Sequence, residues 1–149
     1  MPPESDLIKL YSGKILKMAA EPIYRERLSE PDASVTKRSP LCGSAITVDL
    51  NVESGVITHY GQEVRACALG QASSTIIGKA IVGRSLTEVQ RAYEELSDML
   101  QNKGPTPGKP FEELYMLKPA SEYKNRHASI LLALEATLAA FQQIAENDC

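Results

Sequence analysis

The side chains with most scope for metal or sulfur chemistry are three cysteines and two histidines: Cys42, Cys67, Cys149, His59 and His127. Thiolate and imidazole are the ligands that zinc, ferrous iron and iron–sulfur clusters prefer. No CxxC pair is present, so spacing by itself is a weak metal signal. Cys67 follows a short β-like run, Glu63-Val64-Arg65-Ala66, and precedes residues at helical spacing, Leu69, Ala72, Ile76, Ala80 and Ile81. It therefore sits between a strand end and a helix N-terminus. Free backbone N–H groups and the helix dipole favour negative charge there, so a thiol tends to ionise. The alternative is a buried small hydrophobe, the commoner fate of such a cysteine. Cys42 lies between Pro40, which fixes the approach, and Gly43, which permits a tight turn. That pattern predicts a loop tip. His127 falls in the first turn of a predicted last helix, so all three candidates occupy junctions that can gather at one end of a domain.

The elements that would position them follow from the hydrophobic pattern. Ile46, Val48, Leu50 and Val52 alternate with Thr47, Asp49 and Asn51, which predicts a strand with one buried and one solvated face. Glu53-Ser54-Gly55 is a turn signal, and Val56, Thr58 and Tyr60 alternate with Ile57 and His59 in a returning strand. With the short run before Cys67 this predicts a small antiparallel sheet of three strands. A hairpin alone would not be stable, so helices must cover its apolar face. Asp6 is placed to cap a first helix carrying Leu7, Leu10, Tyr11, Ile15 and Ala19, and residues 21–39 read as an extended loop. Gly83 would end the helix after Cys67. Ser85-Leu86-Thr87-Glu88 is a capping box opening a helix with Leu86, Val89, Tyr93, Leu96 and Leu100 on its apolar stripe, stopped by Gly104. The Pro/Gly-rich stretch at about 104–110 is an internal loop, and Phe111 to Leu117 is expected to form one or two helical turns. Asn125 is placed to cap the last helix, with Ile130, Leu131, Leu134, Leu138, Phe141 and Ile144 on its buried side.

The 149 residues suit one α+β domain with a real core, 1–149. A net charge of -3 with no basic block argues against a nucleic-acid surface. The N-terminal residues lack a cationic region followed by an apolar one, and no apolar run approaches the ~20 residues that span a bilayer. An odd number of cysteines is a poor disulfide framework, so the expected compartment is reducing cytoplasm. No catalytic triad or phosphate loop is present, so a conventional enzyme is not expected.

Four local words sharpen this reading. Ser39-Pro40-Leu41-Cys42-Gly43 before an alternating strand resembles the N-P-x-C-G-D opening of U-type iron–sulfur scaffold proteins, the IscU/SufU/NifU N-terminal family. Ala66-Cys67-Ala68 with Gln71-Ala72-Ser73-Ser74 is similar to that family's G-C-A-x-x-x-A-S-x-S segment. Ile81-Val82-Gly83-Arg84-Ser85-Leu86 resembles its V-x-G-K-S-L boundary, and Arg126-His127-Ala128-Ser129-Ile130-Leu131 its H-C-S-I-L helix start. The words occur in family order over roughly residues 5 to 145.

The resemblance implies a small antiparallel sheet with helices packed on one face. It also implies a site on which iron and desulfurase-delivered sulfur become a [2Fe-2S] cluster for transfer to apoproteins. Carried over by position, Cys42, Cys67 and His127 are the implied cofactor ligands. Two positions depart: the family aspartate is Ser44 and its third cysteine is Ala128. Three ligands hold zinc or one iron with an open position, but a [2Fe-2S] unit then lacks its fourth. An external thiol, a partner's cysteine or a second subunit would complete it. Cys149 would lie ~30 Å from His127 along the last helix. His59 reads either as a ligand or as an ordinary surface histidine, and Glu63 and Asp49 as solvated strand charges. Three functions follow: a cluster or iron scaffold served by a cysteine desulfurase, a zinc-bound sulfur acceptor of the SufU kind, or a metal-free adaptor.

Overall fold

A strand, a tight turn and a longer returning strand form the centre of the protein in a computed structural model that describes residues 13–20, 26–39 and 43–147. β2 (Ala45–Glu53) pairs antiparallel with β3 (Val56–Arg65), and β1 (Ala33–Arg38) pairs antiparallel with the other edge of β2, giving the order β1-β2-β3. Ser54 (φ 53°) and Gly55 (φ 80°) both take the left-handed conformation that a two-residue hairpin turn requires. Ile46, Val48 and Leu50 are buried and face the helices, as their alternation predicts.

The helices are α1 (Gly13–Ala20), α2 (Ala68–Ile81), α3 (Leu86–Asn102) and α4 (Lys124–Asn147), with a 3-10 segment, Glu112–Glu122, between the last two. α4 lies against β1 and β2, and α2 against β3. α3 and the 3-10 segment pack on α4, while α1 packs on α2. This is an α+β fold with a three-stranded antiparallel sheet under a helical layer. The capping box of α3 is present in full, Ser85 Oγ accepting from Glu88 N–H at 3.3 Å while Glu88 Oε1 accepts from Ser85 N–H at 3.1 Å. α4 is apolar and long enough to cross a bilayer by length and composition, contrary to expectation, but 56% of its apolar window is buried inside the fold. Ile130, Ala133, Leu134, Ala136 and Ala140 make it the core helix.

Several expectations need correction. The predicted loop 21–39 contains β1, because pairing with β2 satisfies a backbone whose polar side chains face solvent at a sheet edge. The run before Cys67 is not a separate third strand but the end of β3, which continues through Gly61. A bulge at Asn51/Val52 breaks the predicted alternation, so that Ile57 and Tyr60 are both buried. Asn125 does not cap α4: the helix starts at Lys124, straight from the 3-10 segment, and Arg126 N–H bonds Tyr123 O at 2.9 Å. α3 ends one residue before expected, with Lys103 rather than a glycine in the left-handed position. Asp6 and most of the first predicted helix lie outside the described residues, whereas Ile15 is buried as expected.

Asp49 is the largest departure. It is fully buried on the sheet face away from the helices, where residues 26–28 cross the strands. Arg27 grips it with Nε at 2.7 Å and Nη2 at 3.2 Å, and Leu28 N–H donates at 2.9 Å. Burial pushes the carboxyl pKa up, but the hydrogen bonds from Arg27, Ser34 and Leu28 and the Arg27 charge outweigh it and hold it below its ordinary value. Gly61, opposite Asp49 in the ladder, leaves the room: a Cβ there would stand 2.5 Å from Glu26 O and 3.2 Å from Leu28 N.

Candidate functional site

One end of the sheet gathers the junctions that the sequence picks out. The register places Arg38, Ala45 and Arg65 in one row, so the β1–β2 connection and the β3-to-α2 turn leave from the same end. Ser39 N–H bonds Ser44 O at 2.8 Å and Gly43 N–H bonds Ser39 O at 3.1 Å, which close the base of that connection. Cys42 lies outside the described residues, one peptide before Gly43.

Cys67 is the N-cap residue of α2, extended at φ −65° and ψ 170°, and its side chain makes no cap hydrogen bond. The sulfur is half-buried and unpaired in any disulfide. It lies instead 3.6 Å from Ser129 Oγ of α4, and Ser129 Oγ lies 3.0 Å from Ser44 Oγ. Both serines are buried. Gln71 Nε2 holds Ala66 O at 2.8 Å, fixing the turn before the thiol, and Ser73 Oγ donates to Ile130 O at 2.6 Å, pinning α2 to α4. Gly70 completes the contact, since any Cβ there would run into Ser129 Oγ and stand 2.8 Å from Ala66 Cβ. Close approach, not turn geometry, is what this glycine permits.

His127 is buried two residues before Ser129, and its Nε2 lies 3.0 Å from Ala120 O in the 3-10 segment. A carbonyl oxygen only accepts, so Nε2 donates to it, and in the neutral tautomer that bond leaves Nδ1 as the nitrogen with the lone pair a metal needs. A backbone carbonyl that fixes the tautomer is the usual partner of a ligating imidazole. His127 and Ala128 also line a cavity of about 520 Å³ between α3 and α4, with Tyr93, Gln101 and Glu135. A cavity of about 570 Å³ farther along α4 shares Tyr93 and Glu135, and neither cavity is lined by Cys67 or Ser44. Burial pushes the Glu135 carboxyl up, partly offset by Lys37, and burial together with the Glu135 charge raises the Tyr93 phenol.

Among the described residues no three His, Cys, Asp or Glu side chains gather into a ready metal cluster. The structure brings Cys67 against Ser129 of α4, whose hydroxyl also meets Ser44, while His127 lies two residues earlier, a spacing that does not share a helix face. His59 is exposed on β3, six residues before Arg65, about 20 Å away along the strand, and so stands apart from the site. Glu63 is exposed, as expected. Cys149 lies outside the described residues. Sequence reasoning missed Ser129 as a neighbour of the thiol. Its only signal was its place in the Arg126-His127-Ala128-Ser129 word.

Residues 10–129 match the NifU-like N terminal domain family. A crystal structure of a nitrogen-fixing NifU-like protein (N-terminal) from Brucella abortus superposes with a TM-score of 0.92 at 38% identity, covering 95% of this chain and 98% of that one. The iron-sulfur cluster assembly scaffold protein IscU of Thermotoga maritima is 26% identical over 91% of this chain and 94% of its own length. The putative SUF-system scaffold SufU of Fervidobacterium islandicum, at 17% identity, a TM-score of 0.80 and coverage of 89% and 97%, shares the fold. With the motif words in order, the thiol at the α2 N-terminus and the fold all in agreement, the chain belongs to the NifU-like N-terminal domain family.

Proposed function

We propose that this protein is an iron–sulfur cluster assembly scaffold or carrier that holds iron or a [2Fe-2S] cluster, its cargo, through Cys42, Cys67 and His127. The observation that carries the reading is the position of Cys67: a half-buried thiol at the α2 N-terminus, turned toward the first turns of α4. His127 supports it, since commitment of Nε2–H to Ala120 leaves Nδ1 as its ligand atom. The similarity to the iron-sulfur cluster assembly scaffold protein IscU of Thermotoga maritima agrees with it. The partners on this reading are a cysteine desulfurase that delivers sulfur and apoproteins that accept the cluster. Each iron needs two ligands besides the bridging sulfides, so three protein ligands leave one position for an external thiol, a partner's cysteine or a second copy of the chain.

The test is anaerobic purification and reconstitution of wild type, Cys67→Ser and Ala128→Cys, with metal and sulfide analysis and visible absorption followed after a chelator is added. Wild type is expected to take up iron and sulfide, Cys67→Ser to lose most of both, and Ala128→Cys to release its cluster more slowly. Equal iron and sulfide in wild type and Cys67→Ser would overturn the reading. Stoichiometric zinc without sulfide would move the function to a sulfur acceptor, and no metal at all to an adaptor.

A further inference from the structure

We propose that Ser129 is a positioning residue that donates a hydrogen bond to the Cys67 sulfur, and that Ser44 stands behind it as the donor to Ser129. The inference rests on the reading that Cys67 binds metal. Cys67 Sγ, Ser129 Oγ and Ser44 Oγ form a chain with steps of 3.6 and 3.0 Å. The two serines are 2% and 3% exposed, so their hydroxyls are drawn from a buried environment with few competing waters. An ionised or metal-bound sulfur only accepts, so Ser129 must donate to it. Its own oxygen then accepts from Ser44, and the chain runs in one direction, Ser44 to Ser129 to Cys67. Three features hold Ser129 in place: the missing Cβ of Gly70, the Ser73 bond to the next residue's carbonyl, and the closed loop base that carries Ser44.

This gives Ser44 a role without making it a ligand. A carboxylate at position 44 would meet the Ser129 hydroxyl as an acceptor and draw its proton away from the sulfur. A hydroxyl can pass a donor forward. Hydrogen bonds to a ligating sulfur withdraw charge from it, which stabilises the bound metal and sets the energy of the sulfur-to-metal transition.

The experiment loads wild type, Ser129→Ala, Ser44→Ala and Cys67→Ser with Co(II) under anaerobic conditions. It reads the near-ultraviolet sulfur-to-cobalt charge-transfer band and the dissociation constant. Wild type is expected to show a band that Cys67→Ser removes or sharply reduces. Ser129→Ala should move the band to longer wavelength and weaken binding on the order of 10-fold, the scale seen when a partner of a metal ligand is lost. Ser44→Ala should shift it in the same direction by less. A Cys67-dependent band with wild-type position and affinity in Ser129→Ala would overturn the inference while leaving the functional reading intact. If circular dichroism shows that Ser129→Ala does not fold, Ser44→Ala decides on the same criterion. A wild-type protein without a Cys67-dependent band would overturn both.

Discussion

Replacing Gly70 with alanine sets two effects of known size against each other at the candidate site. In an open helix the substitution stabilises by up to ~1 kcal/mol, because alanine loses less backbone entropy than glycine. At this position the new methyl would stand 2.8 Å from Ala66 Cβ and 3.3 Å from Ser129 O, and closer still to Ser129 Oγ. Ordinary carbon contacts are ~3.5–4.0 Å, so the turn carrying Ala66 must shift by roughly 1 Å, and the Ser129 side chain on α4 must give way as well. Ser129 can turn aside only by leaving Ser44 and Cys67. Overpacking of this kind costs ~1–3 kcal/mol, and near the first turn of α2 the propensity gain is at its smallest, so the clash wins. The expected net loss is ~1–2 kcal/mol, a fall in the urea midpoint of about 0.5–1 M at the m-values of small proteins. Equilibrium urea unfolding followed by far-ultraviolet circular dichroism measures it. The double variant with Ser129→Ala removes one of the clashing atoms and should show a coupling energy of at least ~0.5 kcal/mol relative to the two single variants. A Gly70→Ala protein as stable as wild type would refute the reasoning, since it would mean that the helices are not in contact here.

Gly61→Ala should drive residues 26–28 off the sheet, because the clash is with backbone; a loss of ~1–3 kcal/mol and faster tryptic cleavage after Arg27 would show it. Asp49→Asn should cost about 1–2 kcal/mol at pH 7, the value of its charged hydrogen bonds discounted for the half-exposed guanidinium. Because the folded pKa of Asp49 is depressed, its contribution is full above the unfolded value of about 3.9 and is lost as pH falls through the folded one. The stability gap between wild type and Asp49→Asn should therefore close below about pH 4 in urea titrations at stepped pH; a gap that persists to pH 2 would contradict the linkage. Leu50→Ala, at a fully buried position facing the helices, should lower stability by ~2–5 kcal/mol in the same assay.

What the sequence determined by itself was whatever is written in local periodicity and local chemistry. The period-two run Ile46 to Val52 identified the central strand and its buried face, because alternation forces one side chain in two toward the core. The Ser85–Glu88 box identified a helix start, because its two hydrogen bonds close within four residues. Cys67 was placed at a helix N-terminus by the change from strand to helix spacing, and the structure puts it there. Tertiary structure decided what depends on partners distant in the chain. β1 is a strand because β2 lies beside it, not because Ser34, Thr36 and Lys37 read as one. Asp49 looks like any solvated strand charge until residues 26–28 fold over it, and Gly61 looks like a break until the same segment needs its missing side chain. Ser129 gains its place beside Cys67 from α2 packing on α4, across 62 residues of sequence, a juxtaposition that no local pattern encodes.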